Sequence, residues 1–153
     1  MPVILGFIRE LAEYEKLAHE VTATEELLHR NLFSDKRHAE ALLAFEDKTP
    51  VGFALFFHNF STFLGKPGLY LEDLYIKPAY RKRGYGKALM IHLARIAKER
   101  DCGRFEWWVL DWNEPSLEFY RSIGAVPMND WTVQRVTGDA LAKLAAEKMA
   151  GEK

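Results

Sequence analysis

A glycine-rich turn near the middle of the chain joins a predicted strand to a predicted helix, and this unit constrains the fold most. The strand is LYLEDLYI, residues 69–76, and the helix runs from about Gly84 to Arg100 with apolar side chains on one face. Cys102-Gly103 ends the helix, and RFEWWVLD, residues 104–111, forms the next strand. Two strands joined through a helix pair in parallel, with a right-handed crossover. The chain is therefore predicted to form an α/β fold with a mixed sheet.

Further patterns add helices and strands on both sides of this unit. Apolar spacing predicts a helix over residues 2–17, and a capping box of Thr22 and Glu25 predicts a second helix that ends near Phe33. The segments HAEALLAFED and VGFALFFHNF predict a hairpin around EDKTP. Toward the C-terminus we expect a helix over residues 113–124, short strands around Val126 and over residues 131–136, and a last helix over residues 139–149. All 153 residues are expected to form one domain.

Composition and charge exclude several classes of protein. The net charge is -1, so no overall field draws the chain to nucleic acid or to a membrane surface. The single cysteine, Cys102, cannot form an internal disulfide, and no segment reaches the roughly 20 apolar residues of a membrane span. We therefore expect a cytoplasmic protein without nucleic-acid or membrane partners. The five histidines lack metal-ligand spacing, so no metal is expected.

The turn at residues 81–87 has the features of a phosphate site. Glycine lets a backbone come close to a ligand, and the N–H groups at a helix start carry partial positive charge. The turn lacks the G-x-x-x-x-G-K-[ST] pattern of P-loops, and Leu89 stands where a dinucleotide-binding turn needs its third glycine. On these residues alone, a helix start with solvated lysines is the alternative.

The spacing Arg81-x-x-Gly84-x-Gly86 resembles the R-x-x-G-x-G signature of the GNAT superfamily of acyl-CoA-dependent N-acyltransferases. Three further segments, ELAEYE, LYLEDLYI and WNEPSLEFY, are similar to the diamine acetyltransferases, the spermidine/spermine branch. The resemblance implies a GNAT fold and acetyl-CoA as the co-substrate. It implies that the coenzyme is bound by residues on the strand end, the turn and the later helix: Leu74, Tyr75, Ile76, Arg81, Lys82, Arg83, Gly84, Tyr85, Gly86, Lys87, Asn113 and Ser116.

Two adjacent acids, Glu72 and Asp73, lie in an otherwise apolar strand. Alternation predicts Glu72 on the face of Tyr70, Leu74 and Ile76, and Asp73 on the face of Leu71 and Tyr75. Because an unpaired buried carboxylate is costly, each acid should meet a cation, a donor or a substrate, and an ion pair is the alternative to a functional role. The resemblance implies that Glu72 lies beside the amine and accepts its proton. It also implies that Asp73, Tyr14 and Glu15 contact the substrate.

The segment WNEPSLEFY carries the remaining predicted site residues. By the resemblance, Tyr120 protonates the leaving thiolate of coenzyme A, and Asn113 and Ser116 contact the coenzyme. Without the resemblance, Tyr120 on an amphipathic helix would favour core packing, and Asn113 or Ser116 would be a helix cap. Cys102 as an acyl-carrying nucleophile would need a positioned histidine, so a small buried residue is the simpler interpretation.

The chain also differs from the resembling family. Family members usually open with a strand, whereas this chain starts almost at the first helix, so the first strand is expected to be missing. At the expected substrate end, Asn129 replaces an acid and Phe63 replaces a tryptophan. The expected function is acetyl transfer from acetyl-CoA to a small polyamine, diamine or lysine-like amine, in a homodimer. The alternatives are another amine (an amino acid, an antibiotic or a protein lysine) and a coenzyme A-binding regulatory module without catalysis.

Overall fold

The computed structural model describes residues 1–149 and 151, and its element order follows the predicted order through the fourth helix. Short 3-10 turns occur at Ala18–Glu20 and Pro78–Tyr80. The helices are α1 (Pro2–Tyr14), α2 (Glu25–Phe33), α3 (Tyr85–Glu99), α4 (Glu114–Ser122) and α5 (Gly138–Ala145); the strands are β1 (Glu40–Glu46), β2 (Thr49–Ser61), β3 (Lys66–Ile76) and β4 (Arg104–Trp107).

The chain forms two compact units, residues 1–108 and 109–153. The first unit contains one four-stranded sheet in the order β1-β2-β3-β4. β1 pairs with β2 and β2 with β3 in antiparallel fashion, whereas β3 and β4 are parallel. The predicted mixed sheet and its parallel strand-helix-strand unit are therefore confirmed. Within the described residues no strand precedes α1, as the sequence indicates.

The first unit buries apolar side chains on both faces of the sheet. On one face, α1 and α2 pack on Phe53, Leu55 and Tyr75, and the Phe7 and Phe53 rings stack with centroids 5.7 Å apart. Alternation puts Phe56 and Ile76 on the other face, which α3 covers with a buried stripe. This stripe consists of Leu89, Met90, Leu93 and Ala97.

The second unit is mostly exposed. No residue of α4 or α5 is fully buried. Asn113, directly before α4, is buried. Gly124 follows α4 with a φ of 90°, the left-handed conformation that commonly ends a helix. Large apolar side chains are exposed along residues 126–136, among them Trp131 at 77%.

Several predicted boundaries and elements were wrong. The strands expected around Val126 and over residues 131–136 do not form, because those segments pair with no strand in the structure. β4 ends at Trp107 rather than residue 111, and α5 ends at Ala145. The cap of α2 is Thr24, not Thr22: its hydroxyl accepts a hydrogen bond from Leu27 N at 3.2 Å. Thr22 and Thr24 both carry a hydroxyl that can cap a helix, so the local sequence pattern does not show which of them is the cap.

We expect two glycines with opposite surroundings to respond oppositely to alanine. At Gly52 in β2, an added Cβ would lie 2.5 Å from Tyr75 O, a backbone atom, and would also meet Ile76 Cδ1. Gly52→Ala should therefore lower the free energy of unfolding by about 2–3 kcal/mol, as overpacking does. Gly6 in α1 has no atom within 4 Å of the new Cβ, so Gly6→Ala should raise it by up to ~1 kcal/mol. Urea unfolding curves of the two variants test this; a loss at Gly6 or no loss at Gly52 contradicts it.

Candidate active site

A β-bulge in β3 places Glu72 at the end of the parallel pairing. Leu55 pairs with Asp73, and the next residue of β2, Phe56, pairs with Leu71, so Glu72 has no partner across the sheet. On the other side, β4 pairs with β3 only from Gly68 to Leu71. β3 therefore continues from Glu72 to Ile76 with one strand neighbour, and its other edge lies beyond the paired part of β4.

The bulge changes which side chains share a face. Tyr70 pairs with Phe57, Asp73 with Leu55 and Tyr75 with Phe53, which places these three β3 residues on the face covered by α1 and α2. Leu71 lies on the opposite face. The prediction that Asp73 shares its face with Leu71 was therefore wrong, because the extra residue shifts the alternation by one position.

The charges of two carboxylates, Glu72 and Glu15, act on a third, Asp73, at this point. Burial, together with the negative charges of Glu72 and Glu15, raises the pKa of Asp73 to about 6. Burial also raises the pKa of Glu15. Glu72 is exposed, and neither Glu72 nor Asp73 forms an ion pair within the described part of the chain. Such an arrangement favours a cation, because a positive charge would relieve the repulsion.

Aromatic side chains border these acids on the same face. The rings of Phe57 and Tyr70 lie 4.9 Å apart between centroids, and Trp108 meets Tyr70 edge-on at 6.0 Å. Burial raises the pKa of the Tyr70 hydroxyl, and the charges of Glu72 and Glu106 raise it further. The sequence interpretation did not single out Tyr70 or Trp108. Their shared face becomes apparent only once the strand register is known.

The turn before α3 places a row of backbone N–H groups at a helix start. Gly84, the N-cap of α3, has a φ of 90°. The first helical hydrogen bond is donated by Ala88 N to Gly84 O at 2.8 Å, so the N–H groups of Tyr85, Gly86 and Lys87 precede the helical ladder. These groups and the positive end of α3 can bind an anion.

The basic side chains of the turn have different surroundings. Lys82 and Lys87 are exposed, and Lys82 has a φ of 62°. Arg83 lies 3.2 Å from Glu46 and 5.2 Å above the Tyr80 ring. Arg81 donates its Nε–H to Ile76 O at 2.9 Å and lies over the ring of Tyr14, 4.8 Å from its centroid. Arg81 therefore faces α1, whereas Lys82 and Lys87 extend into solvent.

The other predicted residues lie on the end of β3 and on the second unit. Tyr75 and Ile76 are buried and Leu74 is partly buried; the Tyr75 hydroxyl donates a hydrogen bond to Glu10 at 2.9 Å. On the second unit, Asn113 is the N-cap of α4 but makes no capping hydrogen bond with its side chain. Ser116 and Tyr120 lie within α4 and are partly buried; the Tyr120 ring packs 5.5 Å from Phe119. The cap predicted for Ser116 was wrong, since α4 begins two residues earlier.

The surroundings of Gly86 fit a turn that binds acetyl-CoA. A Cβ built on Gly86 would lie 3.8 Å from Ile76 Cγ1, an ordinary contact. The fold thus tolerates a side chain there, and a glycine at this position keeps the approach to the helix N–H groups open for a ligand. Among the described residues no group of three potential metal ligands is arranged to hold an ion, and no helix could cross a membrane.

The fold and the turn define an acyl-CoA-type transferase, and comparison with known proteins identifies the family. The model of the acetyltransferase (GNAT) family matches residues 7–125. Thialysine N-epsilon-acetyltransferase of Sus scrofa is 36% identical over 94% of this chain and 91% of that protein. The chain belongs to the GNAT acetyltransferase family and is an N-acetyltransferase.

Two other similar proteins are an enzyme of known activity and a solved structure. L-ornithine N5-acetyltransferase NATA1 of Arabidopsis thaliana is 43% identical over 62% of this chain and 42% of that protein. Among solved structures, an integron cassette protein from the mobile metagenome of V. cholerae superposes with a TM-score of 0.79, at 28% identity over 94% of this chain and 90% of that one. The predicted GNAT fold is therefore confirmed.

Replacing Asp73 with asparagine should stabilise the protein in a pH-dependent way. A carboxyl whose pKa is raised to about 6 from 3.8 holds its proton more tightly when folded, so folding becomes less favourable as pH rises from about 4 to 6. At about 1.36 kcal/mol per unit, the penalty above pH 6 is about 2–3 kcal/mol. Asp73→Asn removes this charge, so the variant should be more stable than wild type at pH 7.5 and equal to it near pH 4.

Chemical denaturation at several pH values measures this difference, with Asp139→Asn, an exposed residue of α5, as the control. A stability difference that is the same at pH 4 and pH 7.5 would contradict the assigned cause.

Proposed function

We propose that this protein transfers the acetyl group of acetyl-CoA to a primary amine of a small lysine-like amino acid or diamine. The observation that carries the substrate class is the set of three carboxylates, Glu15, Glu72 and Asp73: the charges of the first two act on Asp73, and none of the three forms an ion pair with a described residue. The relatives that act on thialysine and L-ornithine support it, because both compounds carry a primary amine at the end of a short chain.

The coenzyme is assigned to the turn and to the edge of β3. The N–H groups of Tyr85, Gly86 and Lys87 would bind the pyrophosphate, with Lys82, Arg83 and Lys87 adding positive charge. The edge of β3 over Leu74–Ile76 would hold the acyl arm by backbone hydrogen bonds, as the resemblance implies. When bound, acetyl-CoA supplies the thioester carbonyl that the amine attacks. Asn113 and Ser116 remain predicted contacts to the coenzyme.

A carboxylate at the bulge removes the proton of the amine. A lysine-type amine has a pKa of about 10.4, so at pH 7 its deprotonation costs roughly 4–5 kcal/mol at about 1.36 kcal/mol per unit. Glu72 is exposed at the open edge of β3 and takes the role of base. Asp73, whose pKa is about 6, holds the cation in place and lies close to the range in which a base works at neutral pH.

The developing negative charge on the carbonyl oxygen is met by a backbone N–H of residues 74–76. Tyr120 donates a proton to the departing thiolate; this role rests on the sequence match of WNEPSLEFY and on the partial burial of Tyr120 in α4. The second candidate function is the same acetyl transfer to another amine, such as an amino acid, an antibiotic or a protein lysine. A regulatory module without catalysis is the third, and the retention of both Glu72 and Tyr120 argues against it.

The proposal includes a homodimer in the cytoplasm, without nucleic-acid or membrane partners. The dimer is supported by the exposed apolar side chains of residues 126–136. The other three features rest on the single cysteine and on the net charge of -1.

Gly86→Ala should weaken acetyl-CoA binding without harming the fold. The added methyl group has an ordinary contact with Ile76 and sits in the first turn of α3, where alanine is a good helix former. We expect an unchanged or higher melting temperature and at least tenfold weaker acetyl-CoA binding by calorimetry.

The wild-type protein should also be assayed for thiol release with lysine, thialysine, ornithine, putrescine and spermidine. Coenzyme binding without thiol release from any amine would favour the regulatory module; unchanged affinity in Gly86→Ala would remove the coenzyme from this turn.

Glu72→Gln and Tyr120→Phe should differ in pH profile. If Glu72 is the base, the rate of Glu72→Gln should recover as pH rises and unprotonated amine accumulates. Tyr120→Phe should slow the chemical step by roughly 10²- to 10⁴-fold, the range for a positioned acid, without weakening acetyl-CoA binding. Glu99→Gln and Tyr80→Phe are the controls. A Glu72→Gln defect that is constant with pH would make Glu72 a cation binder, and near wild-type turnover in Tyr120→Phe would return Tyr120 to packing.

Sedimentation should give the mass of a dimer at tens of micromolar. Trp131 and Val126 are each 77% exposed, so Trp131→Glu should shift the equilibrium toward monomer if these side chains lie at the interface. A wild-type monomer at this concentration would contradict the proposed assembly.

A further inference from the structure

We infer that Arg81, the first residue of the R-x-x-G-x-G pattern, is a positioning residue for the amine end of the site and not a ligand of the coenzyme phosphates. The inference rests on the proposed function for its reaction but on contacts of the first unit for its geometry. It separates the arginine of the pattern from its glycines, which the sequence had assigned to one coenzyme site.

The Arg81 guanidinium contacts three residues of the first unit. Its carbon Cζ lies over two tyrosine rings, 4.8 Å from the centroid of Tyr14 and 5.6 Å from that of Tyr75. Its Nε–H donates to Ile76 O at 2.9 Å in a partly buried hydrogen bond. A planar guanidinium can stack on aromatic faces and donate in its plane at the same time, which a lysine ammonium cannot do. The turn is therefore fixed to both the end of α1 and the end of β3.

The same face of α1 makes further contacts with Tyr75, near the end of β3, and with Lys77, the residue that follows β3. Glu10 accepts a hydrogen bond from the Tyr75 hydroxyl at 2.9 Å, and Lys77 Nζ lies 3.9 Å from Glu10 and 5.7 Å above the Phe7 ring. Phe7, Glu10 and Tyr14 follow helical spacing, so they form one stripe along α1. Arg81 holds the last residue of this stripe, at the point where α1 ends.

The end of α1 has a fixed geometry. Leu17 N bonds to Ala12 O at 2.8 Å, and Lys16 adopts a φ of 63°, a left-handed conformation that is uncommon for residues other than glycine. The helix therefore ends at Tyr14, and Glu15 is its C-cap residue. A backbone conformation that costs energy is retained at Lys16, directly after Glu15, whose side chain belongs to the candidate site.

Movement of this helix end would change the electrostatics of the amine site. Glu15 is adjacent to Tyr14, and its negative charge is one of the causes that raise the pKa of Asp73. If Arg81 released Tyr14, the end of α1 would lose its contact with the turn, and the Glu15 carboxyl group could move relative to Asp73. Arg81 thus acts on the amine through Tyr14 and Glu15, and it leaves the phosphates to Lys82, Lys87 and the helix N–H groups.

Arg81→Lys distinguishes the two roles, because lysine keeps the positive charge that a phosphate needs but loses the planar stacking. We expect the KM for the amine to rise about tenfold at saturating acetyl-CoA, with the acetyl-CoA Kd within twofold of wild type. The amides of residues 8–17 should exchange faster by hydrogen–deuterium exchange. Arg95→Lys makes the same substitution at an exposed position of α3 and should change none of the three quantities.

A second variant tests whether Arg81 acts through Tyr14. In a Tyr14→Leu background the ring is already gone, so Arg81→Lys should raise the amine KM by less than threefold. Ten-fold weaker acetyl-CoA binding by Arg81→Lys with an unchanged amine KM would overturn the inference and make Arg81 a phosphate ligand. Unchanged exchange of residues 8–17 would also overturn it. If the wild-type protein acetylates no amine, the proposed function fails, and exchange together with coenzyme affinity still decides the role of Arg81.

Discussion

The change of strand pairing at Leu71 and Glu72 is the constraint on which the candidate site depends. From Gly68 to Leu71, β3 has a neighbour on each side; after Glu72, which has no partner, it pairs with β2 alone. The bulge and the end of β4 pairing coincide, so one residue is exposed at the place where an edge opens. The backbone N–H and C=O groups on the unpaired side of β3 can bind an extended ligand, whereas a strand paired on both sides cannot.

The acids at this edge favour a functional role for the open strand over a packing defect. Without a bound cation, the two adjacent acids Glu72 and Asp73 lower the stability of the fold, because burial and like charge disfavour the ionised form. The penalty falls on Asp73, the partly buried member of the pair, whereas Glu72 stays in water. A bound ammonium would reverse the sign of the interaction, since it would replace repulsion between carboxylates by attraction. The amine would then be held most tightly while it is protonated, so a base within reach is needed before it can react.

The sequence predicts those parts of the fold that local signals determine. β3, the turn and α3 were found because an apolar strand, two glycines and a helical stripe follow one another within 32 residues, 69–100. The bulge was not predicted, since counting alternate residues assumes a regular strand, and that assumption gave Asp73 the wrong neighbour Leu71. The two late strands were predicted from apolar residues such as Val126 and Trp131, which the structure leaves exposed. Apolar residues in a short segment do not distinguish a strand from a surface that another molecule covers.

The basic turn shows that a sequence pattern can combine residues with different physical roles. Positive charge at a helix start attracts an anion whichever basic side chain supplies it, so Lys82 and Lys87 can serve the coenzyme with little geometric demand. Arg81 satisfies a stricter demand, because its guanidinium must lie over the rings of Tyr14 and Tyr75 while Nε reaches Ile76 O. An arginine is required for the second task and only a cation for the first. In the proposed site, the arginine three residues before Gly84 therefore joins the two ends: the turn it begins is the one proposed to hold the coenzyme, and its side chain contacts the helix end proposed to hold the amine.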